Sequence, residues 1–500
     1  MHQRSTSLWD ATAAAPRFDP LRGEIDVDVA VIGAGITGLT AALLLLERGQ
    51  TVAVLEKEVI GGGETGNTTA HITAAVDARY HFLRRKYSVE EARAVADANR
   101  AAMAQIEELI SRHSIECHFR KVPGYLYTER RKYVGELKNE LAAAREAGLD
   151  VEWTDNVPLP FATRGAVVFR DQAQFHPREY LAGLAAQVVA RGGKIYERTQ
   201  VTGVHDGTPC IIESEGGTVR ARGAIMATNV PISGFTVVLT KAAPYRTYAI
   251  AMAVDGEHPD GLFWDTADPY HYTRWQETDS GTFLIVGGED HRVGENDDTE
   301  ASFAKVEAYA REMFGARPVR YRWSGQVIEP HGGLALIGRS GNLCIATGYS
   351  GQGMTMGTLG AMICTDLLTD VENPWAETFR PNRVHAHMTV REFLTENMEF
   401  PKRLVADRLT PHDVEGKETA DVRAGEAKIL SVNGKKVAAY RDPSGALHAV
   451  SPVCTHMKCD VAWNVAERTW DCPCHGSRFT PDGDVLNGPA REALAPVELE

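Results

Sequence analysis

A chain of 500 residues is longer than one hydrophobic core usually fills, so two or three domains are expected. A composition of 43% hydrophobic and 24% charged residues excludes an intrinsically disordered chain, and the 46 glycines suit close approach of backbone to ligand. A net charge of −14 disfavours phosphate backbones and anionic membrane surfaces, which reward basic patches, so nucleic acid is not an expected partner.

Residues 1–15 hold no apolar run ahead of a small-residue cleavage site, so no secretory signal is read and a cytoplasmic location is expected. The longest apolar stretches, 25–32 and 40–46, are shorter than the roughly 20 residues that cross a bilayer, and no transmembrane segment is expected. Residues 27–32 read as a strand, followed by a glycine turn, a helix over 39–48 and a strand over 51–55. This βαβ unit implies parallel strands in a doubly wound sheet. A Gly/Thr/Asn-rich loop follows at 61–69, then helices over 90–112, 133–147 and 180–191. From 201 to 286 strand-like runs dominate, and the aromatic-rich 263–275 reads as a substrate-side sheet. Beyond 330 come strands at 334–337 and 343–346, a glycine segment at 348–353 and a helix from 355 to about 368. The charged stretch 399–419, with Pro401, Pro411 and Gly416, lacks periodicity and reads as a linker. Short strands at 427–432, 436–441, 446–450 and 468–471, punctuated by turn residues such as Asn433-Gly434, describe a small all-β module.

The order strand, Gly33-Ala-Gly35-Ile36-Thr37-Gly38, helix is a dinucleotide fingerprint. The glycines tighten the turn and let a pyrophosphate reach the helix N-terminus. Glu56, eighteen residues after Gly38 and followed by Lys57, can accept hydrogen bonds from the ribose. The fingerprint alone serves FAD and NAD equally. FAD is favoured by the loop bearing Gly63, Thr65, Gly66, Asn67 and Thr68, of the kind that passes a flavin ring. It is also favoured by Gly348-Tyr349-Ser350-Gly351-Gln352-Gly353-Met354, just before a helix whose N-terminus can face the flavin N1/C2 carbonyl.

Together these pieces resemble the D-amino-acid oxidase, glycine oxidase and sarcosine oxidase family of flavoproteins, over residues 7 to 368 or so. The resemblance implies an α/β FAD-binding domain of Rossmann-like, glutathione-reductase type with a mixed-sheet substrate domain. Nucleotide-binding parts are expected at about 25–80, 175–230 and 330–370, and substrate parts at about 81–174 and 231–329, in a unit ending near 400. It implies oxidation of a C–N bond in a small amine or amino acid, and backbone contact with adenine at Val201, which serves equally as a core valine. Thr228 closes a strand near the pyrophosphate. Some relatives attach the flavin to a histidine in the region of His71, although a loop histidine is more often only polar and solvated. His331 and Tyr349 are catalytic candidates. Arg274, on the aromatic-rich sheet with Tyr272, Tyr248 and Arg246, is the candidate fork for a substrate carboxylate, unless it serves a surface or interface. His385 and His387 lack a carboxylate at the spacing of mononuclear iron and read as a solvated helix face.

Four of the eight cysteines lie within the 21 positions 454–474. Cys454-Thr-His456 and, after fifteen residues, Cys472-Pro-Cys474-His475 each offer one thiolate and one imidazole, as a Rieske centre requires. Cys454 and Cys472 are assigned to the iron that stays ferric, His456 and His475 to the iron that is reduced. Zinc could use the same atoms, but its modules more often pair C-x-x-C motifs. The two loops resemble those of respiratory and photosynthetic cytochrome-complex Rieske proteins, over residues 421 to 500. That resemblance implies a disulfide between Cys459 and Cys474. It also implies that Ser477 donates to a cluster sulfide, while Phe479 stands where that family has Tyr, which predicts a lower potential.

The combined expectation is an FAD and [2Fe–2S] oxidoreductase that passes electrons from a small-molecule substrate, an amine or amino acid, through the cluster to an external one-electron acceptor. The alternative is an electron-transfer reductase or redox sensor without a C–N substrate. A Rieske oxygenase is excluded because only 25 residues follow His475, and no second G-x-G-x-x-G opening a helix is read for NAD(P)H, the run Gly61–Gly66 lying in a loop.

Overall fold

The computed structural model describes residues 6–14, 16–233, 238, 240–296, 298–315, 317–383 and 419–498. The linker reading at 399–419 therefore lies outside the described residues except for Thr419, as do His385 and His387.

The first layer follows from the apolar run of the first long strand, Gly23–Ile32, whose last four residues are all buried. A strand apolar on both faces belongs inside a parallel sheet. It pairs in parallel with Val52–Leu55, Val31 opposite Val54, and with Gly217–Met226, Val31 opposite Ile225. The sheet order is Leu336–Ser340, Leu343–Thr347, Gly217–Met226, Gly23–Ile32, Val52–Leu55, Lys194–Tyr196, with Cys210–Ser214 and Val201–His205 added on one side. Helix Ile36–Glu47 begins three residues before the predicted start, because Gly35 takes the extended N-cap conformation and Ile36 enters the first turn directly.

A second, mixed sheet holds Val319–Pro330, Ala242–Val254, Gly281–Arg292, His271–Thr278, Leu262–Trp264, Arg120–Tyr127, Ala166–Gln174 and the short strand His71–Ile72 in that order, with Val151–Thr154 beside Ala166–Gln174. The aromatic-rich segment thus forms two strands at its centre. Helix Thr299–Phe314, which the sequence reading missed, packs on it. Asp298 accepts from Ala301 N at 3.0 Å as its N-cap, and Phe303, Val306 and Ala310 are buried with Tyr248, Ile250 and Leu284.

The C-terminal module has a three-stranded sheet, Ala427–Val432, Lys435–Arg441 and Leu447–Val450. It also has a four-stranded one, Ala462–Asn464, Thr469–Asp471, Arg478–Phe479 and Val485–Asn487. The α/β domain with a mixed sheet and a small all-β module is thus the observed architecture. Among the described residues no helix is long and apolar enough to cross a membrane.

Two helices are joined through one buried carboxylate. Glu140, in helix Val134–Glu146, accepts from Tyr80 N at 2.9 Å, His81 N at 3.0 Å and His81 Nδ1 at 2.8 Å, closing the first turn of helix Tyr80–Lys86. Burial pushes its carboxyl up, but the hydrogen bonds from His81, the charge of Arg79 and the hydrogen bond from Tyr80 together outweigh burial and the net shift is downward. A depressed folded-state pKa gives stability that is full above the unfolded value of about 4.3 and is lost as pH falls through the folded value. Glu140→Ala is expected to destabilise by about 2–4 kcal/mol near neutral pH. Urea melts of the two proteins should converge as the pH falls below about 4.

Candidate active site

One cavity of about 1240 Å³ runs from the end of the first strand to the mixed sheet. Its near end is built by the fingerprint. Gly33, at φ +105°, sits so tightly that a Cβ would come within 2.5 Å of Ala227 O. A Cβ on Gly38 would lie 1.9 Å from Gly33 O, so only glycine lets the helix start this close to the strand. Gly33, Gly35, Ile36 and Thr37 line the cavity, while Gly38 lies behind them and holds the turn. Glu56 lines it too, with its carboxylate fixed by Ala34 N at 2.8 Å and Glu58 N at 3.0 Å, and Lys57 follows.

Gly63, Thr65, Asn67 and Thr68 of the flavin loop line the next stretch, and Gly66 packs against Gly61 behind it. Thr65 Oγ1 accepts from Ile36 N at 3.1 Å, locking the loop onto the first turn of the fingerprint helix. Val201 and Thr228 also reach the cavity. Farther along, Tyr349, Ser350, Gly351, Gln352, Gly353 and Met354 line the wall, while Gly348 faces away from it. Gln352 Nε2 donates to Thr73 O at 3.1 Å, which ties this segment to the chain that follows His71. A tight glycine turn with a fixed carboxylate at one end and a glycine-rich helix start at the other fits an extended dinucleotide.

The catalytic candidates are placed differently from their sequence reading. Arg274 is 0% exposed, and its guanidinium donates to Ala70 O and Phe175 O, both at 3.1 Å, and to Gln276 Oε1. It therefore braces backbone carbonyls beneath strand His71–Ile72 and does not line the cavity. His331 lies in the turn after strand Val319–Pro330, its N–H bonded to Lys241 O at 2.9 Å, and it too is absent from the lining. Tyr349 does line it, but its hydroxyl is committed to Ala346 O and Thr37 Oγ1, each at 2.9 Å. Tyr248 bonds His291 Nε2 at 2.9 Å in the core, and Arg246 is buried on the side of Asp471. His71 is not a solvated loop residue: it is 7% exposed in a two-residue strand, and burial, then the charge of Arg274, lowers its imidazole to about 3.

The far end combines aromatic residues of the segment 263–275, read from the sequence as substrate-side, with two carboxyl groups that no sequence pattern marked. Trp264, Tyr270, Tyr272 and Asp290 line the far end together with Asp77. Thr247 Oγ1 donates to Asp290, and Gly351 N donates to Asp77.

The cluster loops lie at the boundary between the two modules. Cys454, Cys472 and His475 are buried and His456 is half-buried, with the two imidazole rings 5.0 Å apart and nearly perpendicular. Cys459 and Cys474 are joined to each other, which leaves Cys454 and Cys472 as the free thiols beside the two histidines. The Cys454 thiol is lowered to about 7, chiefly by the Cys472 thiol, with the Ser477 hydroxyl helping, and the Cys472 thiol is raised. Burial lowers the imidazoles of His475, to about 3, and His456, so both are held neutral. Two thiols and two neutral imidazoles match the donor set of a Rieske cluster. Phe479 is fully buried in the same apolar cluster as both thiols.

Residues 28–367 match the model of the FAD dependent oxidoreductase family, and residues 413–498 match that of the Rieske [2Fe-2S] domain. The chain belongs to the FAD dependent oxidoreductase family. It is an FAD enzyme with a Rieske [2Fe–2S] domain at its C-terminus. This flavoprotein is 31% identical to YhfW of Bacillus subtilis (strain 168), described as a Rieske 2Fe-2S iron-sulfur protein, over 99% of this chain and 98% of that one. It is 26% identical to gamma-glutamylputrescine oxidoreductase of Escherichia coli (strain K12), over 74% of this chain and 90% of that one. Its fold is similar to that of glycine oxidase from Geobacillus kaustophilus, with a TM-score of 0.61 and 18% identity, covering 72% of this chain and 99% of that one.

Gly38→Ala is expected to give protein that purifies with its cluster but without flavin, whereas Cys454→Ser should keep the flavin absorbance and lose the cluster's electron paramagnetic resonance signal. In Phe479→Tyr a hydroxyl at the cluster sulfur is expected to raise the midpoint potential, which protein-film voltammetry measures.

Proposed function

We propose that the protein is a cytoplasmic dehydrogenase that oxidises a small amine or amino acid at a C–N bond and delivers the electrons through its own cluster to an external one-electron acceptor. When bound, FAD supplies hydride acceptance and the cluster supplies single-electron acceptance, so the pair converts two-electron into one-electron chemistry.

The observation that carries this reading is a hydrogen-bonded bridge between the flavin loop and the cluster loop. Glu64, in the flavin loop, accepts from Gln326 N at 2.6 Å and from Asn487 Nδ2 of the Rieske module at 3.0 Å. Gln326 Nε2 in turn donates to Gly476 O at 2.8 Å, and Gly476 follows the ligand candidate His475. One side chain and one peptide thus connect the wall of the flavin cavity with the cluster loop. The Rieske module also contributes Trp463, Glu467, Arg478 and Asn487 to the cavity lining, so it forms part of the cavity wall. His456, the less buried of the two imidazoles, is the one an external acceptor reaches. Glycine and gamma-glutamylputrescine, the compounds in the names of two similar proteins, both carry C–N bonds, which agrees with a nitrogen-bearing substrate.

Anaerobic stopped-flow mixing with a panel of amines and amino acids tests the reading. Flavin bleaching should be followed by loss of the oxidised cluster's absorbance at a rate independent of protein concentration. A second phase proportional to protein concentration, or a cluster that never reduces, would refute intramolecular delivery. Gln326→Leu keeps the backbone bond to Glu64 but removes the one to Gly476, and should slow the second phase several-fold with flavin and iron content unchanged.

A further inference from the structure

We infer that the far end of the cavity binds its substrate as an ammonium cation with no carboxylate beside the reacting nitrogen: an alkylamine, not an α-amino acid. This rests on the preceding reading and narrows it.

Two carboxyl groups line this end from separate elements, Asp77 from the chain after strand His71–Ile72 and Asp290 from strand Gly281–Arg292. Burial pushes Asp290 up to about 7, with repulsion from Glu329 and Asp77 adding to the shift; Glu329 is likewise raised to about 7 by burial and then by Asp77. Asp77 is itself raised by burial, against a hydrogen bond from Gly351 N and the charge of Arg79 acting from outside the lining. Mutually repelling carboxyl groups in a desolvated space are relieved by a cation and aggravated by an anion.

Positive side chains in the lining all sit elsewhere. Among the described residues Lys57 adjoins Glu56, Arg322 pairs with Glu300, and Arg468, Arg478 and Arg491 belong to the Rieske module. Arg274, the guanidinium expected to fork a carboxylate, is spent on Ala70 O, Phe175 O and Gln276. An entering carboxylate therefore meets two acids, while the nearest arginines, Arg79 and Arg274, stand outside the lining.

The walls are suited to a cation as well. Trp264, Tyr270 and Tyr272 present aromatic rings, which attract ammonium groups through their electron-rich faces. His71, packed against Trp264 and Tyr272 in the same lining, pairs its Nδ1 with Thr69 Oγ1 at 3.0 Å. Held neutral, its imidazole adds no positive charge of its own to the wall.

The test uses the full chain loaded with both cofactors. Titration with tetramethylammonium, which cannot be oxidised at its nitrogen, and with acetate is followed by bound-flavin absorption and by calorimetry. Tetramethylammonium should bind saturably and acetate should not; Asp290→Asn, which keeps the shape and the Thr247 contact, should weaken cation binding at least about tenfold at unchanged flavin content. Acetate binding as tightly as tetramethylammonium would overturn the inference, as would unaltered cation affinity in both Asp290→Asn and Asp77→Asn. If Asp290→Asn does not fold, the preference of the unmodified protein between the two probes still decides. Anaerobic bleaching by a matched pair, isobutylamine and valine, separates the two readings. Bleaching by isobutylamine supports both, bleaching by valine in preference overturns the present one alone, and bleaching by no amine or amino acid overturns the preceding one.

Discussion

The Glu64 carboxylate is shared by three parts of the chain that are far apart in sequence. It belongs to the flavin loop, receives the backbone N–H of Gln326 from the mixed sheet, and receives the side chain of Asn487 from the Rieske module. Placing a carboxylate there orders the loop that must pass a flavin and fixes the Rieske part of the cavity wall in a single act. Nearby contacts extend the same seam: Ser324 donates to Glu467 at 2.9 Å, Thr299 to Asn464 Oδ1 at 2.9 Å, and Arg491 to Thr202 O at 2.8 Å. Hydrogen bonds that form only when both modules are in place make the geometry of one depend on the other.

Charge differs along the cavity. Lys57 and Arg478 lie among Glu56, Glu58, Glu64 and Glu467 at the dinucleotide end, whereas Asp77 and Asp290 line the far end without a basic side chain in the lining beside them. Burial amplifies the difference, because opposite and like charges act more strongly on each other once water is removed. The same burial keeps His71, His456 and His475 neutral, the form in which an imidazole can accept a hydrogen bond or ligate iron.

Strand Gly281–Arg292 shows why some of the site escapes a linear reading. Asp290 sits near its end, two residues past Gly288, in a stretch that also contains Glu289 and His291 and has the look of an exposed, charged strand terminus. Only the pairing with Ala242–Val254, which sets Tyr248 opposite Gly288, and the bond from Thr247 turn its carboxyl toward the cavity. Arg274 illustrates the reverse. Its residue type suggested a carboxylate fork, but it lies beside strand His71–Ile72, where backbone carbonyls of Ala70 and Phe175 need donors. Helix Thr299–Phe314 was missed because its apolar stripe is confined to a few positions amid charged residues.

What the amino-acid sequence determines by itself is the local chemistry with strict spacing. Gly33, Gly35 and Gly38 between a strand and a helix, and Cys454, His456, Cys472 and His475 on two short loops, announce both cofactors because each requirement is met within a few residues of chain. Tertiary structure alone decides which residues face the substrate and how the modules meet. Those contacts join positions hundreds of residues apart, such as Glu64 with Asn487 and Asp77 with Gly351, and depend on strand register and burial that no local pattern encodes.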